Sequence, residues 1–147
     1  MIIAVDFDGT CVTHEYPKVG KNIGAGPVLR RLVKSGHKII LFSMRNDLNG
    51  DLKDALDWFK NENIPLYGIN ENPSQTWSTS PKAYAHVYID DAALGCPVIK
   101  DYNLSDRNFV SWTEVSEVLD ELECFNNITG DEWKIMNNEI LKELNYD

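Results

Sequence analysis

The stretch IIAVDFDGT, residues 2–10, decides how the rest of the chain is read. Ile2 to Val5 and Phe7 form a short, β-branched apolar run of the kind that makes a strand buried on both faces. Such a strand should not end in Asp6 and Asp8, because burying unpaired charge is costly. A solvated turn is the plain alternative, since Asp and Gly are common turn formers. What other segments bring to the same place decides between the two.

Working outward, an irregular Gly-containing stretch runs from Gly9 to about Gly26. Pro27 suits a first helical turn, Val28, Leu29, Leu32 and Val33 give an apolar face, and Gly36 is placed to end the helix. HKIILFS (37–43) reads as a second strand. Leu52, Ala55, Leu56 and Phe59 follow at helical spacing. IPLYGI (64–69) reads as a third strand, and 70–81 as a loop. Ser80 and Pro81 then predict a brief helix ahead of a fourth strand, HVYID (86–90). A short fifth strand is expected at 97–99 or 108–110. Two capped helices finish the chain. Ser111 with Glu114 precedes Val115, Val118, Leu119 and Leu122, and Thr129 with Glu132 precedes Trp133, Met136, Ile140, Leu141 and Leu144. That last stripe reads as core contact. Alternating strands and helices predict a three-layer, Rossmann-like α/β fold, a five-stranded parallel sheet with helices on both faces.

Composition supports one soluble globular domain: 147 residues, 43% hydrophobic and 25% charged. Residues 1–112 form the expected core, and 113–147 are helices packed on the same domain. No apolar run reaches the roughly 18 residues of a membrane span, and Asp6 and Asp8 interrupt any signal-peptide pattern. Cys11, Cys96 and Cys124 form no CxxC pair, so reduced thiols in a cytoplasmic compartment are expected. No His/Cys spacing suggests zinc. The net charge of −9 argues against membrane surfaces and long nucleic acid. It is unevenly spread: Tyr16 to Asn46 carries seven basic residues and no acid, whereas Thr113 to Asp147 carries ten acids against Lys134 and Lys142. The acidic end reads as a solvated helix face.

In parallel sheets ligands gather beyond the carboxyl ends of the strands. Asp6 and Asp8 end the first strand, Ser43 the second, and Asp90 and Asp91 the fourth, with Lys82 just before that fourth strand. Four distant segments therefore deliver carboxylate, hydroxyl and ammonium groups to one edge. VDFDGT (5–10), ILFS (40–43), Lys82 in SPKAY and YIDD (88–91) resemble, in order, the motifs of the haloacid dehalogenase superfamily of phosphotransferases. The likeness spans residues 1 to about 112.

The resemblance implies a Mg²⁺-dependent phosphatase acting through an aspartyl-phosphate on a small phosphorylated metabolite or nucleotide. It makes Asp6 the nucleophile and Asp8 the general acid and base. The metal ligands would be Asp6, Asp90, Asp91 and Asp8, the last through its backbone carbonyl. Ser43 and Lys82 would hold phosphate, and backbone N–H groups of Gly9 and Thr10 would add an anion nest. Lys82 would also offset repulsion among the carboxylates. Arg45, Met44 and Trp77 are candidate substrate contacts, Arg45 otherwise a surface ion pair and Trp77 otherwise packing on the sheet edge. His14 is a weaker candidate contact. His37 and His86 are expected to be structural. An acid at position 8 fits transfer to water better than the ATPases, which carry Thr there, or the dehalogenases, which lack it. Neither usual place has room for a cap domain, so the site is expected either open to a large substrate, such as a phosphorylated nucleic-acid end, or covered by a neighbouring copy. A receiver-like Mg²⁺ or phosphate-binding module and a phosphotransferase to an acceptor alcohol are the competing readings.

Overall fold

Ile3 and Val5 point to one face of the first strand and Ala4 to the other, and all three are buried. That double burial explains why β1 (Ile2–Val5) is apolar throughout. The structure, a computed structural model, describes residues 1–146. β1 sits inside a parallel sheet with β2 (Lys38–Leu41), β3 (Leu66–Ile69) and β4 (Val87–Ile89), in the order β3-β2-β1-β4. Register places Val5 beside Leu41 and Ile89, so the ends of β1, β2 and β4 are level.

One face carries nearly all the core. Ile3, Val5, Ile39 and Leu41 pack with residues from every long helix: Val28, Leu29 and Leu32 of α1 (Ala25–Lys34), Ala55 and Phe59 of α2 (Asp51–Asn61), Leu119 of α3 (Trp112–Glu121), and Met136 and Ile140 of α4 (Gly130–Glu143). The C-terminal helices thus share the core of the first strand. Thr129 and Glu132 exchange both hydrogen bonds of a capping box (3.1 and 3.3 Å), and Ser111 Oγ accepts from the Glu114 N–H. Val118 and Leu122, expected on the packed face of α3, are exposed.

The structure departs from expectation in three places. The opposite sheet face has only a small cluster, Ala4, Ile40 and Ala85 with Ile2, Phe42 and Tyr67, and no helical residue belongs to it. The helices therefore pack on one face, and the three-layer arrangement is absent among the described residues. The cause is the missing helix at 81–85. The Tyr84 and Ala85 N–H groups, the first that a helix starting at Pro81 would turn back on itself, donate to Gln75 Oε1 and Tyr88 Oη. Side chains thus take the donors that a helix would need. Finally, the parallel sheet has four strands rather than five. Both candidate segments form, as β5 (Val98–Ile99) and β6 (Phe109–Val110), but they pair antiparallel with each other in a separate ribbon.

No helix among the described residues is long and apolar enough to cross a membrane. Between Asp8 and Ser43 lie α1 and β2, and between Ser43 and Lys82 lie α2 and β3, so no separate cap is inserted at either place.

Candidate active site

The turn after β1 is built from its own backbone. Thr10 and Cys11 N–H groups donate to Phe7 O (3.0 and 2.8 Å), and the Gly9 N–H donates to Val12 O (2.8 Å). Gly9 has φ +81°, and a Cβ there would stand 2.6 Å from Asp91 Oδ2. Glycine is thus required for the backbone shape and for the approach of Asp91. Trp112 pins the turn from α3, its indole N–H donating to Thr10 O at 2.7 Å. These bonds correct the expected anion nest: the Gly9 and Thr10 N–H groups are engaged inside the turn. Thr10 contributes its hydroxyl instead. The buried Oγ1 lies 2.9 Å from Asp6 Oδ2 and 3.2 Å from Asp91 Oδ1, and it accepts the Asp91 N–H at 3.0 Å.

The Asp6 N–H donates to Ile89 O (3.0 Å), which sets the end of β1 against the end of β4. Carboxylate oxygens of Asp6, Asp90 and Asp91 consequently lie within 4.8 Å of one another. Burial, and then the charge of Asp90, push the Asp6 carboxyl up to about 7. Lys82 does not relieve this. Its exposed ammonium sits 5.4 Å from the centre of the Tyr88 ring and makes no ion pair among the described residues. Three converging carboxylates with no counter-charge, half-buried, are a donor set of hard oxygens that suits Mg²⁺.

Asp8 stands outside that group, its carboxylate held by Arg45. Arg45 Nε and Nη2 donate to Asp8 Oδ2 and Oδ1, both at 2.7 Å, with side-chain exposures of 1% for Arg45 and 12% for Asp8. The guanidinium lies 5.0 Å from the Phe7 ring centre and 5.1 Å from that of Tyr16. Its other N–H groups donate to the carbonyls of Pro17, Lys18 and Asp51. Tyr16 in turn donates to the Asp51 carboxylate. Arg45 is therefore neither a free substrate contact nor a surface ion pair. It is a buried clamp on Asp8.

A cleft of about 330 Å³ opens beside Asp6 and Asp90, walled by Phe42, Ser43, Met44, Asn70 and Pro81. Ser43 Oγ accepts the Arg45 N–H (3.1 Å), which leaves its own proton free to donate, and the Ser43 N–H donates to Asn70 Oδ1 (2.7 Å). Met44 projects into solvent, and Trp77 is 65% exposed rather than packed on the sheet edge. His14 lies elsewhere, 3.3 Å from Arg107. His37 and His86 are structural: His37 bonds the N-terminal amine and the Cys124 carbonyl, and His86 Nδ1 accepts the Ile2 N–H. All three cysteines are free thiols, and burial followed by Asp6 and Asp8 pushes Cys11 well up, so it is no nucleophile.

Two participants went unread in the sequence, the Thr10 hydroxyl and Asn70. Asn70 had a signal, since it follows β3 as Ser43 follows β2.

Comparison with solved structures gives a conserved protein from Bacteroides thetaiotaomicron, 33% identical, with a TM-score of 0.66 over 82% of this chain and 90% of that one. The chain belongs to that protein's family. No protein-family model matches the chain, and no curated protein does.

Proposed function

We propose that the protein is a Mg²⁺-dependent phosphatase with a haloacid dehalogenase-like site, acting on a small phosphorylated substrate. The observation that carries this reading is the convergence of Asp6, Asp90 and Asp91 within 4.8 Å at the ends of neighbouring parallel strands. Asp8 lies two residues beyond the nucleophile, and Ser43 lines the same cleft as Asp6.

Asp6, Asp90, Asp91 and the Asp8 carbonyl would hold the metal, which supplies charge neutralisation at the phosphate. The Thr10 hydroxyl orients Asp6. An Asp6 oxygen attacks phosphorus, the bond to the leaving oxygen breaks, and Asp8 supplies that oxygen's proton. Asp8 then takes a proton from the water that attacks the aspartyl-phosphate, releasing inorganic phosphate and restoring Asp6. Arg45 takes one hydrogen bond on each Asp8 oxygen, so the carboxyl is held in place while the proton moves at a remaining lone pair. Ser43 donates its free proton to a phosphate oxygen. Lys82, over the Tyr88 ring and not among the residues lining the cleft, is given no phosphate contact in this reading. Three free thiols, Cys11 and Cys124 of them buried, fit a cytoplasmic setting.

The test is hydrolysis of an aryl phosphate with Mg²⁺ or EDTA by wild type and Asp6→Asn. Turnover should need the metal and fall at least about a thousandfold in the variant. Activity that survives Asp6→Asn removes the nucleophile assignment. No turnover across a broad panel of phosphate esters overturns the phosphatase reading.

A further inference from the structure

The two cations expected at this cleft from the sequence are both engaged elsewhere. The Arg45 guanidinium bonds Asp8 and three backbone carbonyls, and the Lys82 ammonium lies over the Tyr88 ring. Among the described residues, the cleft lining holds two carboxylates, Asp6 and Asp90, and no cationic side chain. A metal bound by Asp6, Asp90 and Asp91 would not change that balance. Three carboxylates and a phosphate dianion already outweigh one divalent cation. A second anion on the same ester would therefore find no partner in the wall.

The rest of the lining is uncharged. Phe42 is half-buried, Pro81 is exposed, and Met44 is 95% exposed. The backbone on either side of Met44 is tied down. The Ser43 N–H donates to Asn70 Oδ1 at 2.7 Å, and the Arg45 N–H donates to Ser43 Oγ at 3.1 Å. Met44 thus presents an unbranched apolar side chain to water from a fixed stem, an adaptable contact for an apolar group. Only the oxygen of the Asn70 amide can accept the Ser43 N–H, which leaves Asn70 Nδ2 as the free end of that amide. With the Ser43 hydroxyl, it gives the wall two uncharged donors.

We propose that the phosphate ester taken by this site has an uncharged leaving group whose apolar surface packs on Phe42 and Met44, and that esters carrying a second anion are turned away. The proposal rests on the phosphatase reading for the chemistry, and on the composition of the cleft wall for the selection. The selection is repulsive as well as attractive. A carboxylate on the leaving group would enter a wall that holds Asp6 and Asp90 and offers no counter-charge.

Two esters that differ by one charge test it. In steady state with Mg²⁺, kcat/KM for phenyl phosphate should exceed that for 4-carboxyphenyl phosphate by at least about tenfold, although the second has the better leaving group. Met44→Lys adds a cation to the wall and should narrow that ratio. Asn70→Asp keeps an acceptor for the Ser43 N–H, adds a carboxylate, and should widen it. A substitution that merely disturbed the fold would slow both esters alike. Equal kcat/KM for the two esters in wild type, or a ratio that does not move in opposite directions in the two variants, overturns the selection and leaves the phosphatase reading standing. If neither ester is hydrolysed, the phosphatase reading fails and binding decides the selection. The Met44 methyl resonance, assigned by its loss in Met44→Lys, should then shift saturably with phenyl phosphate in Mg²⁺, and 4-carboxyphenyl phosphate should bind at least about tenfold more weakly. No saturable shift with phenyl phosphate, or equal affinities for the two, overturns the proposal.

Discussion

Two aspartates one residue apart have opposite surroundings. Asp6 is crowded by carboxylates and burial, whereas Asp8 meets a guanidinium through both of its oxygens. The difference comes from Arg45, which the backbone of the 16–18 stretch and the start of α2 hold in place through three carbonyls. The Arg45 guanidinium acts through Asp8 and is no part of the cleft lining, so it is a positioning residue. Arg45→Lys keeps the charge but loses the planar fork. It should lower kcat for an alkyl phosphate by ten- to a hundredfold with KM changed less than about twofold. Adding guanidinium should restore part of the rate to Arg45→Ala. A large rise in KM at unchanged kcat would instead make Arg45 a phosphate ligand.

Among the elements, those with their own capping and periodicity are the ones the sequence located correctly. α4 begins at a capping box visible as Thr129 and Glu132, and both halves form. Thr129 is on the surface, so Thr129→Ala should cost about 1 kcal/mol in urea unfolding without touching phosphate hydrolysis. The misread elements are short and depend on partners. Ser80 and Pro81 carry a helix-start signal, yet only a few residues separate them from β4, and Gln75 and Tyr88 take the N–H groups that a helix would use. β5 and β6 are two residues each, and nothing local states whether they join the main sheet or each other.

At the scale of the whole molecule, the basic front half and the acidic C-terminal end meet on the surface of the fold. Glu132 of α4 lies 3.8 Å from Arg31 and 3.5 Å from Lys34, and Arg30 pairs with Glu62. Much of the basic segment is therefore engaged within the chain and is not a free positive field for ligands. α4 also brings a liability. Glu143 is pushed up to about 7, by burial first and then by Glu62, and its Oε2 is buried without a hydrogen-bond partner. The folded protein thus holds a proton on Glu143 that the unfolded chain releases near the ordinary value of 4.5. Stability from this group is greatest below about 4.5 and declines as pH rises toward about 7. Glu143→Gln should raise Tm at pH 8 and have little effect at pH 4.5. Equal shifts at both pH values would remove the titration as the cause.

Apart from the helix expected after Pro81 and the pairing of β5 with β6, the sequence by itself determined the strand-and-helix order, the central place of IIAVDFDGT, and the set of polar residues at the strand ends. It could do so because apolar periodicity, caps and strand-end position are local properties of the chain. Only the tertiary structure decided which of those residues meet. Asp6, Asp90 and Asp91 converge, Lys82 lies over Tyr88 instead, Arg45 turns inward to Asp8, and the helices gather on one face of the sheet. Those outcomes depend on contacts between residues as far apart as Thr10 and Asp91, where burial and hydrogen-bond competition select one partner among several that the sequence allows equally.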